Sequence, residues 1–148
     1  MRMPQNVPAL VDNLWEWRRP EGFPSRRFSA CASPSAKLAE ESAPGGLVCR
    51  VQLRGKFSLC QVQGWSDSKE HPECKTLPKL LAKLLGQPWM MAPLAEKTAA
   101  GRIWMPCLMK AEVESLFESV EALHQIRNEM WEAVNYWKCV VKLAAPDC

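Results

Sequence analysis

The constraint that most limits how this chain can fold lies in its last third. Val113, Leu116, Phe117, Val120, Leu123, Ile126, Met130, Val134, Trp137 and Val141 recur at steps of mostly three or four. That spacing puts one apolar stripe on a long helix, or on two helices nearly in line, over residues 109–143. Glu114, Glu118, Glu121, Arg127, Glu132 and Lys138 fall on the opposite face. A stripe of this length must be buried, so the rest of the chain has to supply a layer to cover it.

Upstream the period changes. Leu47, Cys49, Val51 and Leu53 alternate with Val48, Arg50, Gln52 and Arg54, the period of two that predicts a half-buried strand. Arg26 to Ala32 is expected to be extended, with a corner at Ser33-Pro34-Ser35 and a short helix over Ala36–Ser42, because serine and proline suit a helix start. The break at Pro44-Gly45-Gly46 separates that helix from the strand. Phe57 to Val62 continues as a further short strand or as the end of a bent one, and Gly64 to Thr76 is polar and predicts a long loop. Leu77–Leu85 is an amphipathic helix stopped by Gly86 and Pro88. A second helix over 93–100 opens at Pro93 and closes at Gly101, and Arg102 to Met105 is a candidate strand. In the proline-rich segment 1–25, either Asp12 or Asn13 caps a turn, or Leu14, Trp15 and Trp17 begin the first strand. The expectation is a single α+β domain over 1–148: a proline-rich N-terminal segment, a sheet-forming core at 26–106 and a helical segment at 109–143.

Composition excludes several classes. At 148 residues the chain is long enough for a real core, and a net charge of +3 does not demand nucleic acid. No apolar run approaches the ~20 residues needed to span a bilayer, and the N-terminus lacks the apolar stretch of a secretory signal. Seven irregularly spaced cysteines do not suggest a secreted disulfide framework. A cytoplasmic protein with reduced thiols is expected.

The segment Ser29-Ala30-Cys31-Ala32-Ser33-Pro34, followed by Val48-Cys49-Arg50-Val51-Gln52-Leu53-Arg54-Gly55, resembles the core of small ADP-ribosyltransferases, particularly the rifampin-modifying type. Asp67-Ser68-Lys69-Glu70-His71-Pro72 is similar to the acidic loop that follows in those enzymes. The first-strand signature of the family is replaced here by Leu14-Trp15-Glu16-Trp17-Arg18-Arg19. The resemblance covers about half the chain. It implies an ADP-ribosyltransferase-like fold, a small mixed or antiparallel sheet with flanking helices and a long C-terminal helix. It also implies NAD as substrate and transfer of ADP-ribose to a protein or small-molecule acceptor, as in a modifying enzyme, a toxin or an effector delivered to another cell.

On that scheme Arg18 or Arg19 contacts the phosphates or the nicotinamide ribose, Ser29 and Ser33 sit beside the nicotinamide on one strand face, and Asp67 opposes the charge of the ribosyl cation. Each residue also has a plainer role: a solvated basic rim for the arginines, a strand-surface serine and a helix cap for Ser29 and Ser33, a turn cap for Asp67. His71-x-x-Cys74 is half of a zinc spacing without a second pair, so no metal is expected. No local signature supports a cysteine–histidine nucleophile. The tryptophans are assigned to core packing rather than to stacking on nucleic acid. A rival to the enzyme is a non-catalytic module that docks a protein through the long C-terminal helix.

Overall fold

The computed structural model describes residues 1–144. Its described residues form six helices and one small antiparallel sheet, a mixed α+β architecture dominated by helix. Helix α1 (Ala9–Trp17) is the middle of it. Every residue from Leu10 to Trp17 is buried, the polar Asp12, Asn13 and Glu16 included. Leu10, Leu14 and Trp17, with Val11 and Trp15 one position on, repeat at helical spacing, whereas alternation in this segment extends over only Trp15 and Trp17. The helical period therefore wins over the expected first strand.

Around α1 pack α3 (Glu73–Met90), α5 (Lys110–Ser119) and a 3-10 turn at Arg102–Trp104, and α3 also meets α6 (Glu121–Ala133). Helix α2 (Ala36–Ser42) and α4 (Leu94–Gly101) are peripheral. The α2 helix spans the expected residues, and the side chain of Ser35, not Ser33, caps it by accepting from Leu38 N. In α3 the continuous run breaks at Gly86, whose φ of 57° and ψ of −159° are not helical; the glycine stop expected there is present, with one more turn beyond it.

The sheet pairs β1 (Leu59–Val62) with β2 (Val140–Leu143), in the register Leu59↔Leu143 to Val62↔Val140. Four expectations are corrected here. The stretch 47–53 forms no strand, and Leu47, Val51 and Leu53 are exposed: the segment pairs with neither β1 nor β2 and has no apolar layer against it, so local alternation alone does not make a strand. Arg26–Phe28 is a 3-10 turn, so Ser29 and Ser33 share no strand face. The 102–105 strand is also a 3-10 turn. The C-terminal stripe is carried by two helices that are not in line, and only as far as Met130: the helical segment expected over 109–143 ends at Ala133, with Trp137 in a 3-10 turn and Val141 in β2. Val120 adopts extended geometry between them, and Arg127 Nε bonds Glu114 Oε1 at 3.1 Å. A straight helix would separate those residues by about 20 Å, so α6 folds back on α5. Leu116, Phe117, Leu123, Ile126 and Met130 are buried in the shared core.

A helix buried on all sides must have its polar side chains satisfied. Asn13 meets this fully. Its amide donates to Ile103 O (2.8 Å) and Met105 O (2.7 Å), while its oxygen accepts from Arg27 Nη2 (2.8 Å) and Leu108 N (3.1 Å). Asp12 accepts from Arg27 Nε at 3.2 Å and faces Arg26 Nε at 3.5 Å. Glu16 accepts from Arg19 and Ser25. Asn13→Ala should therefore lower the unfolding free energy by about 3 kcal/mol, since it strands buried donors and acceptors. Glu41→Ala, which breaks only an exposed 4.0 Å pair with Lys37, should change it by less than about 0.5 kcal/mol. Urea denaturation of both variants checks the contrast.

Candidate functional site

The C-terminal end of α1 opens onto a cleft of about 420 Å³, walled by Trp17, Arg18, Arg19, Glu21, Lys110, Trp131, Trp137 and Lys138 among others. Four cations and three indoles thus share one concavity. Arg18 lies flat on Trp131, its guanidinium carbon 3.5 Å from the ring centre, and its Nε donates to Trp131 O at 3.0 Å. Its two terminal nitrogens bond to none of the described residues. Burial, and then the like charge of Arg127, pull the Arg18 pKa below its usual value; an anion in the cleft would relieve that crowding. Arg19 is more committed, with Nε on Glu16 Oε1 (3.1 Å) and Nη1 on Phe23 O (2.7 Å). Lys110 Nζ donates to Arg19 O at 2.9 Å and closes one wall. The geometry separates two neighbours that the sequence leaves equivalent: of the two, Arg18 is the one whose terminal nitrogens bond to none of the described residues.

The other expected site residues lie elsewhere. Ser29 Oγ donates to Ser25 O, and Ser33 Oγ accepts from Ser35 N at 3.3 Å. Asp67 caps the 3-10 turn Ser68–Glu70, accepting from Lys69 N at 3.1 Å. It lines a separate, smaller cleft of about 80 Å³ with Ser66, Lys69 and Glu70. The five residues therefore divide between two places: Arg18 and Arg19 border the large cleft, and neither serine nor Asp67 borders it. Glu21 and Lys110 carry no sequence signal, while Trp17, Trp131 and Trp137, read from the sequence as core, and Lys138, read as the polar face of the last helix, all border the cleft. One signal was available for Trp131, which directly follows the stripe residue Met130 and so falls off the apolar face.

A second group of polar side chains is buried under α1. Glu73, at the start of α3, accepts from Asn135 N (2.7 Å) and Tyr136 N (3.3 Å), tying α3 to the chain leaving α6. Burial raises its pKa, and those two N–H groups only partly offset the shift. The Trp15 indole N–H lies near this carboxylate without reaching hydrogen-bond geometry. Trp15 itself stacks on Tyr136 with centroids 3.8 Å apart, and Arg26 Nη1 donates to the Tyr136 hydroxyl (2.9 Å) and Ser68 Oγ (2.8 Å). His71 stands edge-on to Trp15, Trp65 and Tyr136. Among the described residues no group of three or more His, Cys, Asp or Glu side chains is arranged to hold a metal ion, and no helix is long and apolar enough to cross a membrane.

No family model matches this chain, and searches of curated proteins and of solved structures return no significant match.

Burial lowers the His71 pKa, so the folded state favours the neutral ring. Its contribution to stability is complete above the unfolded value of about 6.5 and is lost as pH falls through the lowered folded value. Glu73 acts in the opposite sense: its raised pKa gives stability below the unfolded carboxyl range that is lost as pH rises through the folded value. On going from about pH 7.5 to about pH 5.5, His71→Gln should lose less stability than the parent protein. Urea titrations of the two proteins at both pH values make the comparison.

Proposed function

We propose that the cleft at the end of α1 binds NAD and that the protein transfers ADP-ribose from it to an acceptor, releasing nicotinamide. The observation that carries this reading is the meeting of four cations with three tryptophans in a concavity of small-ligand size. A dinucleotide offers two chemistries, a doubly charged pyrophosphate and flat rings. Guanidinium and ammonium groups answer the first, and the indoles of Trp131 and Trp137, the two that are not fully buried, answer the second. Arg18, whose terminal nitrogens bond to none of the described residues and whose plane is fixed by Trp131, is the principal phosphate ligand in this reading. Lys110 and Lys138 add charge, and Arg19 shapes the wall. The volume suits a small molecule better than a nucleic-acid strand.

Transfer is the part of the reading that the ADP-ribosyltransferase resemblance supplies. It needs a carboxylate facing the positive charge that develops on the ribose as nicotinamide leaves. Glu21 is the carboxylate on the cleft wall, so in this reading it takes the role that the sequence suggested for Asp67. Asp67 and Ser29 then act as a turn cap and a turn-stabilising hydroxyl.

Calorimetry with NAD tests the binding step. Arg18→Ala and Trp131→Ala should each weaken binding about tenfold or more, the loss of one charge-assisted hydrogen bond or one ring contact, while Asp67→Ala should bind as the parent does. Nicotinamide release, followed with and without candidate acceptors, should fall about a hundredfold in Glu21→Ala and be unchanged in Asp67→Ala. Absence of NAD binding would overturn the whole reading. Binding without any release would leave the cleft a nucleotide site and remove the transferase.

A further inference from the structure

Away from the cleft, His71 and Cys139 meet across the fold. Cys139 ends the 3-10 turn Tyr136–Cys139 just before β2, and its sulfur is 3.7 Å from His71 Nε2. The ring is held by its surroundings. Three aromatic side chains stand edge-on around it, and Nδ1 accepts the Glu73 backbone N–H at 3.2 Å. An Nδ1 that accepts has its lone pair engaged, so the single proton of the neutral ring sits on Nε2. That proton points at the Cys139 sulfur. The Glu73 carboxylate lies 3.5 Å from Nδ1 on the ring's far side. Cys139 is half-buried.

We propose that Cys139 is a reactive thiol, positioned by His71, and a site of reversible oxidation by hydroperoxides. The N–H of a fixed, neutral imidazole stabilises the anionic sulfur that performs the attack. The thiol proton is lost to water, and the sulfur then attacks the terminal oxygen of the peroxide. The S–O bond forms as the O–O bond breaks. Cysteine is oxidised to the sulfenic acid, and the departing hydroxide or alkoxide takes a proton to leave as water or an alcohol. His71 is a positioning residue, and it ends the step neutral as it began. The two other half-buried thiols in this part of the fold are set against this chemistry, since burial raises the pKa of both Cys60 and Cys74.

The test treats the whole protein with limiting hydrogen peroxide and a dimedone-type trap for sulfenic acid, and reads each cysteine by peptide mass spectrometry. Cys49, exposed, is the internal reference. In the folded protein Cys139 should be trapped about threefold faster than Cys49, or more. The gain is modest because a donor hydrogen-bonded to the sulfur also lowers its intrinsic nucleophilicity. His71→Ala should abolish the advantage without moving the Cys49 rate, and His71→Gln, which keeps an N–H near the Nε2 position, should restore part of it. In concentrated urea the advantage should vanish for the parent protein, a comparison that holds even if a variant fails to fold. Cys139 reacting no faster than Cys49 in the folded parent, an advantage that persists in urea, or a folded His71→Ala variant that keeps it would each overturn the proposal.

Discussion

The structure depends on burying a nine-residue helix with three polar side chains facing inward. Helix α1 supplies Leu14, Trp15 and Trp17 to the core, and α3, α5 and the 102–104 turn pack on it. That arrangement is stable only because Arg27, itself 3 % exposed, reaches in to Asp12 and Asn13. A buried charge left alone costs several kcal/mol, whereas a paired and hydrogen-bonded one is tolerated. The same contacts decide which segments meet. Asn13 bonds to residues 103, 105 and 108, and Arg27 brings the N-terminal turn onto α1, so one polar cluster joins parts of the chain about 90 residues apart. Hydrophobic burial supplies most of the driving force, and these bonds select the arrangement in which it is realised.

The cleft follows from how α1 ends. Trp17 is the last helical residue and is drawn inward, with its indole N–H on Glu114 and its ring stacked on Phe117. The chain must then turn out of the core, and the two residues that make the turn are Arg18 and Arg19. Arginine is suited to this exit, since its stem can cover apolar surface while its charged head stays wet. Trp131, on the first residue after a buried stripe position, offers the flat surface on which Arg18 rests. The fold-back of α6 onto α5, secured by Arg127 and Glu114, is what brings that indole to the end of α1.

What could be read from the sequence followed local rules, and what could not depended on distant partners. The α2 helix, the stop at Gly86 and the helix closed near Gly101 are written in caps and glycines, which act within a few residues. The apolar period of the last third is equally plain, but its corner at Val120 is not. Val120 continues the stripe, and only the tertiary packing of α5 on α6 shows that the helix turns there. Alternation at 47–53 predicts a strand because a strand's side-chain pattern is local, yet a strand exists only if an edge is available. β1 pairs instead with Val140–Leu143, some 80 residues further on, and the 47–53 segment joins neither outer edge of that sheet. Arg18 and Arg19 were legible as candidates and lie at the cleft. Ser29, Ser33 and Asp67 were chosen by a pattern of short elements, and each is engaged in a turn of its own.

The stretch from about Phe28 to Lys56 adds almost nothing to the core: none of its side chains is buried, and its ends are held by Arg27 on one side and by β1 on the other. For such a loop the entropic cost of closure grows only with the logarithm of its length, about 0.6 kcal/mol for each doubling. Natural drift in this protein therefore has an outlet. Residues can be gained or lost between these two anchors with little effect on the rest, so the chain's length can vary among descendants while its centre does not. A polypeptide inserted there, even a folded one whose termini lie close together, would be carried as a passenger on an unchanged body.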